Sequence, residues 1–205
     1  MIKQSKINKL SKYFGGQCIA LFMLCLMSSS ASSLPPRSKL LTKTSTLSID
    51  SEIPWVAGWD LEGNAVGLGD IMSRARSGFV FTLTKPSCLR CEDGLRYLLS
   101  AQDRLAKRGI QLVVVFLGDL HPKTMIKWLQ SRGVWGAANN ETWQDKKPIF
   151  IIDRYEVLAE RLGTDNQLPR SFVVGREGEV LRIIAQEGYD LIDLIITSVT
   201  GQAED

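Results

Sequence analysis

The sequence of 205 residues carries 25 lysines and arginines against 22 aspartates and glutamates, a formal net charge of +3. That excess sits at the front, where Lys3, Lys6, Lys9 and Lys12 precede the first acidic residue, Asp50; without residues 1–33 the charge is −1. No basic surface is left to argue for nucleic acid, and the remaining stretch of about 172 residues has the length of one domain.

In chain order, the cationic start leads into an uninterrupted apolar run, Cys18 to Met27, and then into the small residues Ser28 to Ser33. This pattern predicts a secretory signal peptide over 1–33. The run is shorter than the roughly 20 residues of a spanning helix, and an uncleaved N-terminal anchor is the alternative. Leu24 before Cys25 does not fit a lipid-modified cysteine. Residues 34–52, with Leu34-Pro35-Pro36 and a Thr/Ser-rich stretch, have linker composition, and 34–50 read as a mobile arm. The folded domain is expected over 53–201, followed by a polar tail, 202–205.

Within that domain Trp55 to Asp60, the turn Glu62-Gly63-Asn64 and Ala65-Val66 suggest a small hairpin. Phe79 to Thr84 is a β-rich run ended by Lys85-Pro86-Ser87. From Cys88 to Lys107 the apolar residues Leu95, Leu98, Leu99 and Leu105 recur at helical spacing, and Gly109 closes that helix. Leu112 to Leu117 reads as a strand of the buried, parallel-sheet kind. Pro122 opens a helix with Met125, Ile126 and Leu129, ended by Gly133, and residues 134–147 read as a loop. Pro148 to Ile152 predicts a buried strand and Tyr155 to Leu162 a short helix. Ser171 to Gly175 and Glu179 to Ala185 flank the turn Arg176-Glu177-Gly178, and Asp190 to Val199 predicts a closing helix. Alternating strands and helices imply an α/β domain whose mixed, mostly parallel sheet is covered on both faces, with an antiparallel pair at one edge.

Of the four cysteines, Cys18 and Cys25 fall in the predicted signal. Cys88 and Cys91 remain, spaced C-x-x-C. A structural disulfide is the plain reading in an exported chain, but so small a ring restrains the unfolded chain little. A strand running straight into a helix that begins at C-x-x-C is the setting of a thioredoxin-like redox motif. Cys88 would lie near the unpaired N–H groups and positive dipole end of the helix, which favour the nucleophilic thiolate. Cys91, one turn further in, would resolve the mixed disulfide. Arg90 adds positive charge to the motif and Lys85 could approach it, so both are candidate modulators. Glu92 and Asp93 read as acids stabilising the first helical turn. Leu168-Pro169 comes directly before a regular strand, where a proline cannot donate a ladder hydrogen bond and so needs a reason.

From Ile53 to about Gly188 the chain resembles the TlpA/redoxin group of exported thioredoxin-like proteins. Three stretches carry the likeness. They are Ile53-Pro54-Trp55 with Asp60 through Asp70, Phe79 through Cys91, and Pro148 through Val180 with its Leu168-Pro169 and Arg176-Glu177-Gly178. The resemblance implies a thioredoxin-like fold and a bacterial periplasmic thiol–disulfide oxidoreductase. It also implies an opening hairpin with a short helix and a cis Leu168–Pro169 bond, with Pro169 shaping partner docking. The chain departs from the group at several places. Ser87 stands where a tryptophan is usual, and Arg90 where a proline is often found. Thr82 replaces the buried acid of thioredoxin, and Gly94 an acid that some members keep. These changes bear on proton transfer and redox poise.

Other readings use the same residues. A peroxiredoxin would need Thr or Ser where Lys85 stands. A copper or zinc carrier could combine Cys88 and Cys91 with His121, the only histidine. A docking module of little turnover could use Val134, Trp135 and Trp143. The expected cofactor is none beyond the dithiol. The expected partners are proteins carrying disulfides or dithiols, with an upstream membrane electron donor as a further candidate and membrane contact only through an N-terminal anchor.

Overall fold

In the computed structural model, which describes residues 47–133, 147–163, 167–185 and 190–201, seven strands join in one sheet of order β2-β1-β5-β4-β3-β6-β7. β1 (Ala57–Trp59) and β2 (Ala65–Gly67) are the arms of the expected opening hairpin. Asp60 closes its turn by accepting from the backbone N–H groups of Glu62 and Asn64 at 2.9 and 2.8 Å. A short helix, α1 (Leu68–Arg74), follows. The centre is β3 (Gly78–Thr84), β4 (Ile110–Leu117) and β5 (Ile149–Asp153), with β3 parallel to β4 and β4 parallel to β5. All residues of these three strands are buried, which is why they read as unbroken apolar runs rather than alternating ones.

The sheet is less parallel than the sequence suggests. β6 (Arg170–Gly175) runs antiparallel to β3, β7 (Val180–Ile184) antiparallel to β6, and β1 antiparallel to both β2 and β5. A strand–helix rhythm suggests parallel neighbours by default. Nothing local to β6 signals that it returns beside β3, on the far side of the centre from β5.

Period-two alternation sorts the core into two halves. Phe79, Phe81 and Leu83 of β3, with Val113, Val115 and Leu117 of β4, pack with Ile71 of α1 and with Leu158 and Ala159 of α5 (Val157–Arg161). On the opposite side Val80, Leu112, Val114 and Phe116 meet α2 (Leu89–Ser100), α3 (Gln102–Lys107), α4 (Pro122–Ser131) and α6 (Leu191–Thr200). Phe116 is fully buried there, stacked on Phe150 with ring centroids 6.1 Å apart and edge-on to Trp128 at 6.0 Å.

The single helix expected from Cys88 to Lys107 is two. α2 stops at Ala101, whose φ of −94° and ψ of 5° leave the helical region, and α3 starts again at Gln102. The Ser100 hydroxyl donates to the Tyr97 carbonyl at 2.7 Å, a competition with the backbone ladder that bends helices. Apolar spacing continues across the break and hides it. The chain also pairs ahead of the Ile53 boundary. Asp50 N–H donates to the Val180 carbonyl at 2.8 Å, Val180 N–H to Ser51 at 2.9 Å, and Glu52 bridges Glu179. The signal segment, the tail and most of the 134–147 loop, with Val134, Trp135 and Trp143, lie outside the described residues.

Candidate functional site

β3 ends at Thr84, and the next four residues form a turn in which Cys88 N–H donates to the Lys85 carbonyl at 3.0 Å. Pro86 suits such a turn because its φ is fixed in advance. Cys88 is then the N-cap of α2, with φ −97° and ψ 102°, and its sulfur accepts from the Cys91 backbone N–H at 3.2 Å. The cap position, more often filled by Ser, Thr, Asp or Asn, is filled here by sulfur.

Cys88 and Cys91 are joined in a disulfide, their Cα atoms 5.2 Å apart. The two sulfurs are not equivalent. Cys91 is 1% exposed, whereas Cys88 is only half-buried and is flanked by exposed Leu89 and Arg90. An incoming group can therefore reach Cys88 first.

The surroundings of the pair differ in part from what the sequence suggests. Thr82, at the place of the thioredoxin acid, is buried and its hydroxyl lies 2.9 Å from that of Ser171 on β6. A neutral hydroxyl pair occupies that position. Glu92 is buried as well, and its carboxylate does more than stabilise a helix end. It meets Arg96 at 2.7 Å and Arg132, just after α4, at 3.4 Å, so it ties α2 to α4. Asp93 is exposed. Lys85 pairs with Glu156, which the sequence does not single out. Asp153 was also missed: its carboxylate accepts from the N–H groups of Val157, Leu158 and Ala159 at 3.1, 2.8 and 3.3 Å and so caps α5.

The Leu168–Pro169 peptide bond is cis. Pro169 is buried, and Leu168 is half-buried against the α1/α5 half of the core. β3 and β6 pair Leu83 with Arg170, so Pro169 continues the register level with Thr84. The proline and the turn leading to Cys88 thus sit at one end of the sheet.

His121 begins the loop's passage into α4, and its Nδ1 accepts from the Lys123 N–H at 3.2 Å as that helix's N-cap. Among the described residues no group of three or more His, Cys, Asp or Glu side chains is placed to hold a metal. Of the Cys88–Cys91–His121 set considered from sequence, the two sulfurs are bonded to each other and the His121 Nδ1 caps α4.

This sheet order, with a C-x-x-C at the start of the helix after β3 and a cis-proline before β6, defines a thioredoxin-like fold. Solved structures agree. The chain is similar to the thioredoxin domain of a thiol-disulfide oxidoreductase from Bacteroides vulgatus, at 18% identity and a TM-score of 0.58, covering 75% of this chain and 99% of that one. It is also similar to a protein from Chlorobium tepidum described as a thiol:disulfide interchange protein, DsbE, at 19% identity and a TM-score of 0.58, over 76% and 97% of the two chains. A third is a secreted disulfide oxidoreductase of Mycobacterium tuberculosis, at 11% identity and a TM-score of 0.53, over 70% and 95%. At these identities the likeness is one of fold. No family model and no curated protein matches the sequence.

Proposed function

We propose that the protein is an exported thiol–disulfide oxidoreductase that works in the periplasm on protein partners through Cys88 and Cys91. The observation that carries this reading is the asymmetry of the pair. The reachable sulfur, Cys88, caps α2 and accepts a backbone N–H, and the other is sealed one turn behind it. When the pair is reduced, the same N–H and the helix dipole favour a thiolate on Cys88.

In the reducing direction the Cys88 thiolate attacks one sulfur of a partner disulfide. A Cys88–partner bond forms and the partner's second sulfur leaves as thiolate. Cys91, deprotonated, then attacks the Cys88 sulfur, restores the Cys88–Cys91 disulfide and expels the partner's first sulfur. Two electrons pass to the partner, whose two thiolates take up the two protons. In the opposite direction the same steps oxidise a dithiol. Pro169, at the same end of the sheet, and half-buried Leu168 would border the partner chain, and the exposed Leu89, 79% accessible, offers it an apolar contact. The export signal over 1–33 and the domain over 53–201 belong to this reading. So does the membrane electron donor, which would re-reduce the pair if it works as a reductant.

Insulin reduction tests the chemistry: the wild-type chain turns insulin turbid with a thiol reductant present, and Cys88→Ala abolishes the catalysed rate. Equal rates in both would overturn the reading. Cys91→Ser, which keeps the attacking thiol and removes the resolving one, should trap partner proteins as mixed disulfides that dithiothreitol releases.

A further inference from the structure

The Lys85–Glu156 pair has features that stability alone does not explain. Lys85 is held at both ends, its carbonyl accepting the Cys88 N–H at 3.0 Å and its ammonium lying 2.8 and 3.0 Å from the two Glu156 carboxylate oxygens. The pair runs from the loop after β3 to the loop after β5, across the end of β4. A Cβ built at Gly118, just past β4, would stand 4.0 Å from the Glu156 carboxylate, so that end of the strand leaves the carboxylate room.

The two side chains remain 29% and 40% exposed, and a pair so wet adds little to stability. Yet Glu156 holds a left-handed backbone, φ 54° and ψ 23°, a conformation unfavourable for a residue other than glycine. A left-handed residue whose ion-pair partner, Lys85, accepts the Cys88 N–H through its own carbonyl is a candidate for function as well as for stability.

We infer that Glu156 is a positioning residue that partners Lys85 three residues before Cys88 and sets the redox poise of the dithiol, an inference that rests on the oxidoreductase reading. A lone ammonium at Lys85 would stabilise the Cys88 thiolate and so the reduced form, making the pair more oxidising. The Glu156 carboxylate offsets that charge and keeps the pair more reducing. Other charged or titratable groups on the same loops and on α2 are Arg90, Asp93, Tyr97, His121, Tyr155 and Arg170, with Glu92 held by Arg96 and Arg132, Asp119 by Arg154, and Asp153 by the first N–H groups of α5. They are constant across the variants below and cancel in the comparison.

The test equilibrates the full chain with mixtures of reduced and oxidised glutathione, for wild type, Glu156→Gln, Lys85→Met and the double variant. The fraction oxidised is read by thiol alkylation. Glu156→Gln should shift the equilibrium about three- to tenfold towards the dithiol, Lys85→Met by a like factor towards the disulfide, and the double variant should return to within about twofold of wild type. The pH midpoint of Cys88 alkylation should fall in Glu156→Gln and rise in Lys85→Met. Unchanged equilibria overturn the inference, and so do single variants that shift in the same direction, which would make the pair a structural tie only. A wild-type pair that never equilibrates with glutathione overturns the oxidoreductase reading along with it.

Discussion

Thr82 and Ser171 share a buried hydrogen bond across β3 and β6, 89 positions apart in sequence. Burying a hydroxyl is tolerable only while it has a partner. Thr82→Val, of similar shape, should therefore cost about 1–3 kcal/mol, since it leaves the Ser171 hydroxyl without its mate. Adding Ser171→Ala should recover most of that loss, a coupling that urea denaturation of the four chains would measure. A double variant no better than Thr82→Val would show that packing, not the bond, holds the site. Cys88 and Cys91 were legible because C-x-x-C at a strand–helix junction is a local pattern. The Thr82–Ser171 and Lys85–Glu156 pairs were not, because each joins two loops or strands that only the sheet brings together. A left-handed glutamate carries no sequence signal either.

At the scale of elements, α5 depends on one carboxylate. It spans only five residues, too short to be stable by propensity, and Asp153 supplies three of its first N–H groups with an acceptor. Asp153→Ala should destabilise the protein by about 1–2 kcal/mol and raise amide exchange at Val157 to Ala159 above that of the other helices. Uniform exchange across the chain would instead mean that α5 is held by Leu158 and Ala159 in the core. The elements themselves were largely readable. Continuous apolar runs marked β3, β4 and β5, Gly178 marked the β6–β7 turn, and Pro122 marked the start of α4. Two things were not readable. Apolar spacing cannot report the break at Ala101, because Leu95, Leu98, Leu99 and Leu105 keep the helical period across it. Strand direction depends on where a connection lands, so the antiparallel entry of β6 stayed hidden.

For the whole molecule, the disulfide contributes little to the framework. It closes a ring of sequence separation 3, for which chain-entropy reasoning gives about 2 kcal/mol at most. Neither half of the core, from Phe79 to Phe116 and Ile195, includes Cys88 or Cys91 among its packed residues. Reduction should therefore leave a folded protein, with urea stability changed by no more than about 2 kcal/mol. Unfolding on reduction would return the cysteines to the role of a structural staple. A pair that can open without loosening its scaffold is what repeated exchange requires.

The backbone rung between Asp50, Ser51 and Val180 has a bearing on how the domain should be handled. β7 is a border strand, and an open border is a template on which another chain can add a strand. Here the molecule's own leading residues occupy the first position of that template. A fragment cut at Ile53, where composition alone would place the start, would lose this self-made hem and leave the rung free for a neighbour's strand.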